Sequence, residues 1–211
     1  MRFRTLDLLL LIALAVAALH YSNRWMGLAG GWTIAEKGAC VALLALWAAI
    51  QARGTDGWLI ALVLALGATG DVLLETHGLT IGALAFLAGH GVATILYLRN
   101  RASQGWFAVP VAVLIAVIAF LLPANREAAP GIALYASGLG AMAGTALFSR
   151  FPRGCTGLGA LLFAASDLLI FARLGPLSGS PLPGLLIWPL YVAGQMLIAW
   201  GVVATLREER T

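Results

Sequence analysis

A chain of 211 residues in which 61% are hydrophobic and 10% charged does not have water as its main solvent, because soluble globular chains carry about 25% charged residues. A spanning helix needs about 20 mostly apolar residues, so this length accommodates roughly eight spans and excludes a soluble domain beside them. The net charge of +4 is scattered between apolar runs, without the clustered basic face of a nucleic-acid binder, so membrane lipid is the expected neighbour and nucleic acid is not.

Apolar runs separated by charged or Gly/Pro-rich breaks predict spans near 5–21, 33–51, 57–76, 80–98, 106–122, 130–149, 155–172 and 184–206. The fold class expected is an all-α polytopic membrane helix bundle, with 1–211 forming a single transmembrane domain. Arg2 and Arg4 before the first run imitate a signal peptide, but no soluble chain follows, so the run reads as the first span. Arg2, Arg4, Arg53, Arg99, Arg101, Arg150, Arg153, Arg207 and Arg210 fall on one side, and Arg24, Arg126 and Arg173 on the other. The positive-inside rule then predicts cytoplasmic termini, and the short N-terminus suggests a plasma membrane.

Span two opens with Glu36 and Lys37, span three carries Asp71 and Glu75, and span four carries His90. Span six contains Gly138-x-Gly140 and Gly140-x-x-x-Gly144, which let helix backbones approach closely where lipid supplies no hydrophobic drive. Span seven carries Asp167, and span eight carries Tyr191 and Gln195. His20, His77 and the Trp side chains at span ends read as interfacial residues. Cys40 and Cys155 stand far apart and without spaced His partners, so neither a disulfide nor a metal site is suggested, and no cofactor is expected.

Ala68-Thr69-Gly70-Asp71 and Ala164-Ala165-Ser166-Asp167 resemble each other. So do Ala88-Gly89-His90 and Ala193-Gly194-Gln195 in the spans that follow, which suggests a four-plus-four internal repeat. An ionisable side chain at the bilayer centre costs about 2.5–3.5 kcal/mol, so each one within a span asks for a reason. By helix rise, Asp71 comes out about 20 Å and Asp167 about 18 Å from the inner boundary, with Tyr191 about 10 Å below the outer one. Gln195 and His90 fall about 15 Å below the outer boundary, and Glu36 and Lys37 nearer the outer surface. Asp71 and Glu75 share a helix face, as do Tyr191 and Gln195. Such residues suit a proton-coupled transporter or channel with relay acids, or a structural protein whose acids lock helices together.

Four stretches, in order on the right spans, resemble the YhhN-like lysoplasmalogenases, eight-span enzymes that cleave the vinyl-ether bond of lysoplasmalogens. They are Gly70-Asp71-Val72-Leu73-Leu74; Phe86-Leu87-Ala88-Gly89-His90; Gly159-Ala160-Leu161-Leu162-Phe163-x-x-Ser166-Asp167; and Tyr191-x-x-Gly194-Gln195-x-Leu197-Ile198. Lys37, Tyr135 and Met142 also resemble family positions. The chain departs from the family pattern at Gly38, where Pro is usual, at Ala93, where a Tyr often follows the His, and at Glu75, where the family is usually apolar.

The resemblance implies a lysophospholipid substrate and hydrolysis to a fatty aldehyde and a glycerophospho-base. A vinyl ether is hydrolysed by protonation of its β-carbon and addition of water to the resulting oxocarbenium ion, which needs an acid and a base. Asp71 and Asp167 would supply both by holding one proton between them. His90, Tyr191 and Gln195 would be supporting donors. Lys37 would receive the head-group phosphate and Glu36 its amine, and Glu75 is a further candidate for substrate binding or support.

Overall fold

A computed structural model describes residues 7–102 and 108–209. Arg2, Arg4 and Arg210, and residues 106–107 of the expected fifth span, lie outside the described residues. The described chain forms α1 (Asp7–Trp25), α2 (Gly31–Gln51), α3 (Gly54–Thr76), α4 (Leu79–Arg99), α5 (Ala108–Leu121), α6 (Ala129–Leu147), α7 (Leu158–Arg173) and α8 (Leu182–Glu208). A single π turn, Arg153–Gly157, leads directly into α7. Among the described residues there is no strand, only an isolated bridge between Arg101 and Ser149.

Each expected span corresponds to one helix. Six are long and apolar enough to cross a membrane: α1, α2, α3, α4, α7 with its π turn, and α8. The described part of α5 has 14 residues, all apolar. This is a multi-pass membrane protein. Leu11, Leu62, Leu84, Val113 and Leu121 project outward along the helices, a surface that water would penalise and lipid tails accept. Trp25, Trp32 and Trp58 are exposed at helix ends, where amphipathic rings favour the lipid–water boundary.

The chain groups into two compact units, one running to Val92 and the other comprising Ala93–Glu209, with the division inside α4. In the first unit α2 packs against both α1 and α3, burying Cys40, Val41, Leu44, Trp47, Ile60 and Leu64 completely. The α3–α4 turn is His77-Gly78, and Gly78 takes a φ of 86° that a side chain would resist. The two helices then meet through small residues: Gly70 lies under the Phe86 ring and Gly82 under Leu74.

In the second unit α5 packs on α6 and α7 on α8. A Cβ on Gly140 would stand 2.8 Å from the Ala112 carbonyl oxygen, and one on Gly144 would stand 2.5 Å from that of Ala108. The Gly140-x-x-x-Gly144 spacing therefore acts as the sequence implied. Between α7 and α8 the contact is also backbone on backbone, since a Cβ on Gly159 would lie 2.7 Å from the Gly194 carbonyl oxygen. At one end of this unit Arg150 donates through Nε to Asn100 Oδ1 at 2.5 Å and pairs with Glu209, tying the ends of α4, α6 and α8 together.

Candidate active-site residues

Asp167 sits on α7 and is 6% exposed. Its Oδ2 accepts a hydrogen bond of 2.6 Å from the Tyr135 hydroxyl on α6. Among the described residues its partner is thus a neutral donor rather than a cation. The antiparallel α7–α8 contact sets a register in which Ser166, beside the acid, donates to the Ile187 carbonyl at 2.9 Å. One turn earlier the Phe163 ring meets Tyr191 edge-on at 5.2 Å. That bond from Ser166 falls where α8 runs through Pro189, whose missing N–H and bulky ring disturb the helix ladder around it.

Tyr135 is itself held edge-on by Phe171 at 5.9 Å. Tyr191 also meets Trp188, with ring centres 5.7 Å apart. One turn further along α8, Gln195 Nε2 donates to the Tyr191 hydroxyl at 3.3 Å, so the face shared by these two residues is real. Gln195 Oε1 is buried and has no hydrogen-bond partner among the described residues. Because an amide's two ends are interchangeable in assignment, the free end of Gln195 accepts as placed and donates if the amide is turned over.

In the first unit Asp71 is 2% exposed on α3, one turn before Glu75. His90 is buried on α4, next to Gly89, which faces Val63 and Leu66 of α3. This register puts His90 about 8–12 Å along the helix axis from Asp71. Glu36 is buried, and Asn23 Nδ2 donates to both of its carboxylate oxygens, at 2.8 and 3.1 Å. His20 Nδ1 lies 3.9 Å from Glu36 Oε2 and 3.1 Å from the Thr33 carbonyl. Lys37 Nζ donates to Glu75 Oε1 at 2.7 Å.

The structure therefore brings Lys37 to Glu75, Glu36 to Asn23 and His20, and Tyr191 to Gln195. His20, read as interfacial from its place near the end of a span, is buried against protein and turned toward α2 by its contacts with Thr33 and Glu36. Asn23 and Ser166 were missed as partners, and Tyr135 was noted only as a matching position. The i, i+3 spacing of His20 and Asn23 on a span was the available signal. Nothing in the sequence pairs Tyr135 with a residue 32 positions away. Among the described residues, no three His, Cys, Asp or Glu side chains gather as a metal-ligating group.

Comparison with known proteins agrees with these motifs. The YhhN family model matches residues 32–202. Lysoplasmalogenases of Mycobacterium bovis and Mycobacterium tuberculosis are each 34% identical over 183 residues, spanning 79% of this chain and 69% of the relative. No solved structure matches significantly.

Proposed function

This chain belongs to the YhhN family, and from that premise we propose that it is a membrane-embedded lysoplasmalogenase whose acid and base are Asp71 and Asp167. One carboxylic acid delivers its proton to the β-carbon of the vinyl ether, leaving an oxocarbenium ion. The other, ionised, stabilises that cation and takes a proton from the water that adds to it. The hemiacetal then breaks its carbon–oxygen bond, releasing a fatty aldehyde and the hydroxyl of a glycerophospho-base. His90, Tyr191 and Gln195 serve as supporting donors, and Lys37 receives the phosphate. Both termini face the cytoplasm.

The observation that carries this reading is the pairing of a buried Asp167 with the neutral hydroxyl of Tyr135. A carboxylate met by a cation is held in one charge state, whereas one met by a hydroxyl can gain or lose a proton with its partner in place. The names of the Mycobacterium relatives support the substrate. The test is aldehyde release from a lysoplasmalogen by the purified protein in mild detergent with chelator present. Wild type turns over, and folded Asp71→Asn and Asp167→Asn variants do not. A well-folded wild type that leaves vinyl-ether and ester lysolipids untouched removes the hydrolase reading, and proton-driven uptake into liposomes becomes the next measurement.

A further inference from the structure

The polar end of the first unit holds more chemistry than the reaction consumes. Lys37 on α2 and Glu75 on α3 form an ion pair with side chains 16% and 42% exposed. The charge of Arg24, in the last turn of α1, also bears on Glu75. The Lys37–Glu75 pair thus lies near the start of α2 and the end of α3, where helix ends come near the head-group level of a bilayer. Glu36, the other acid nearby, is committed: it is 5% exposed, and Asn23 donates to both its oxygens. An incoming amine would have to displace that amide from a buried carboxylate.

We propose that Glu75 is the specificity residue for the head group, and that the Lys37–Glu75 pair opens to accept a zwitterion carrying a primary ammonium. The phosphate goes to Lys37, whose ammonium has three hydrogens and gives one to Glu75. The ammonium of an ethanolamine head group donates to the Glu75 carboxylate in place of the lysine. A trimethylammonium has no hydrogen to donate and holds its charge farther from the oxygens, so a choline head group gains less. The inference rests on the lysoplasmalogenase reading, and the geometry suits it. Glu75 and Asp71 are one turn apart on one face of α3, about 6 Å along the axis. From the ammonium through phosphorus and glycerol to the vinyl-ether carbon a lipid has ten covalent bonds, which reach about 12 Å when extended. A head group with its ammonium at Glu75 therefore reaches past the level of Asp71 and sets the reactive bond there with its glycerol bent.

The experiment compares ethanolamine and choline lipids in two ways on the full-length protein in detergent. One measures binding of the ester probes lysophosphatidylethanolamine and lysophosphatidylcholine by calorimetry. The other measures kcat and KM for the corresponding vinyl-ether substrates. Wild type favours ethanolamine about tenfold, the size of one charge-assisted hydrogen bond. In Glu75→Gln the preference falls to near one, through KM rather than kcat, with an unchanged melting temperature. Glu75→Asp retains part of it. A wild type without preference, or a Glu75→Gln variant that keeps the full preference, overturns the proposal. The two ideas fail separately: a binding preference without turnover retains the head-group site and removes the hydrolase reading. Turnover with indifferent binding does the reverse.

Discussion

At the end of the first unit charges are met by charges or amides: Glu75 by Lys37 and Glu36 by Asn23. In the second unit the acid on α7 is met by a phenol, and the side chains stacked near it are aromatic rings. The first arrangement fixes charge and can recognise charge. The second leaves protonation free to change, because neither state of Asp167 strands a buried cation. Under the proposed function, carboxylates thus take different work in the two units, according to what their neighbours donate.

The strongest test of this contrast is Asp167→Asn. It keeps the shape and can still accept the tyrosine's hydrogen bond but cannot exchange a proton, so aldehyde release falls at least about 100-fold while the melting temperature in detergent stays near wild type. A variant that melts early instead would place Asp167 with the anchoring acids of the first unit. The opposite signature is expected of Asn23→Leu. It strands the buried Glu36 carboxylate and lowers stability by about 1–3 kcal/mol, with kcat per folded molecule retained. If turnover falls and the melting temperature does not, Glu36 belongs to the chemistry and the contrast fails. The smallest effect is that of Tyr135→Phe. Losing the 2.6 Å bond to Asp167 costs about tenfold in kcat, or about 1.4 kcal/mol, and leaves KM near wild type. An unchanged kcat would show that the hydroxyl only packs.

Much of this was legible in the chain. Eight apolar runs gave eight helices, and expected ends differed from observed ones by a few residues, as at α8, which runs Leu182–Glu208. The turn before α7 is wound as a π turn, where Thr156 packs against Gly201 of α8, and no local pattern announces such a contact. Asp71 and Asp167 stood out because an acid in an apolar run is costly wherever it sits. The Tyr191–Gln195 pair followed from helical spacing, and Gly140 and Gly144 from the demand for close backbones. The partners of the ionisable groups did not follow. His20 stands near the end of a span, and only the rotation of α1 turns it toward α2 rather than outward.

The sequence by itself determined that the chain crosses a membrane several times, where its helices lie, and which few side chains would be expensive to bury. These depend on composition and on a period of 3.6 residues, both properties of one segment at a time. Tertiary structure alone decided that Lys37 meets Glu75, that Asn23 caps Glu36 and that Tyr135 reaches Asp167. Each of these pairings joins different helices, and the rotation of a helix about its axis is set by the small and large residues it packs against. In lipid, where the apolar faces of a helix are nearly equivalent in solvation, hydropathy does not reveal that rotation and side-chain packing does.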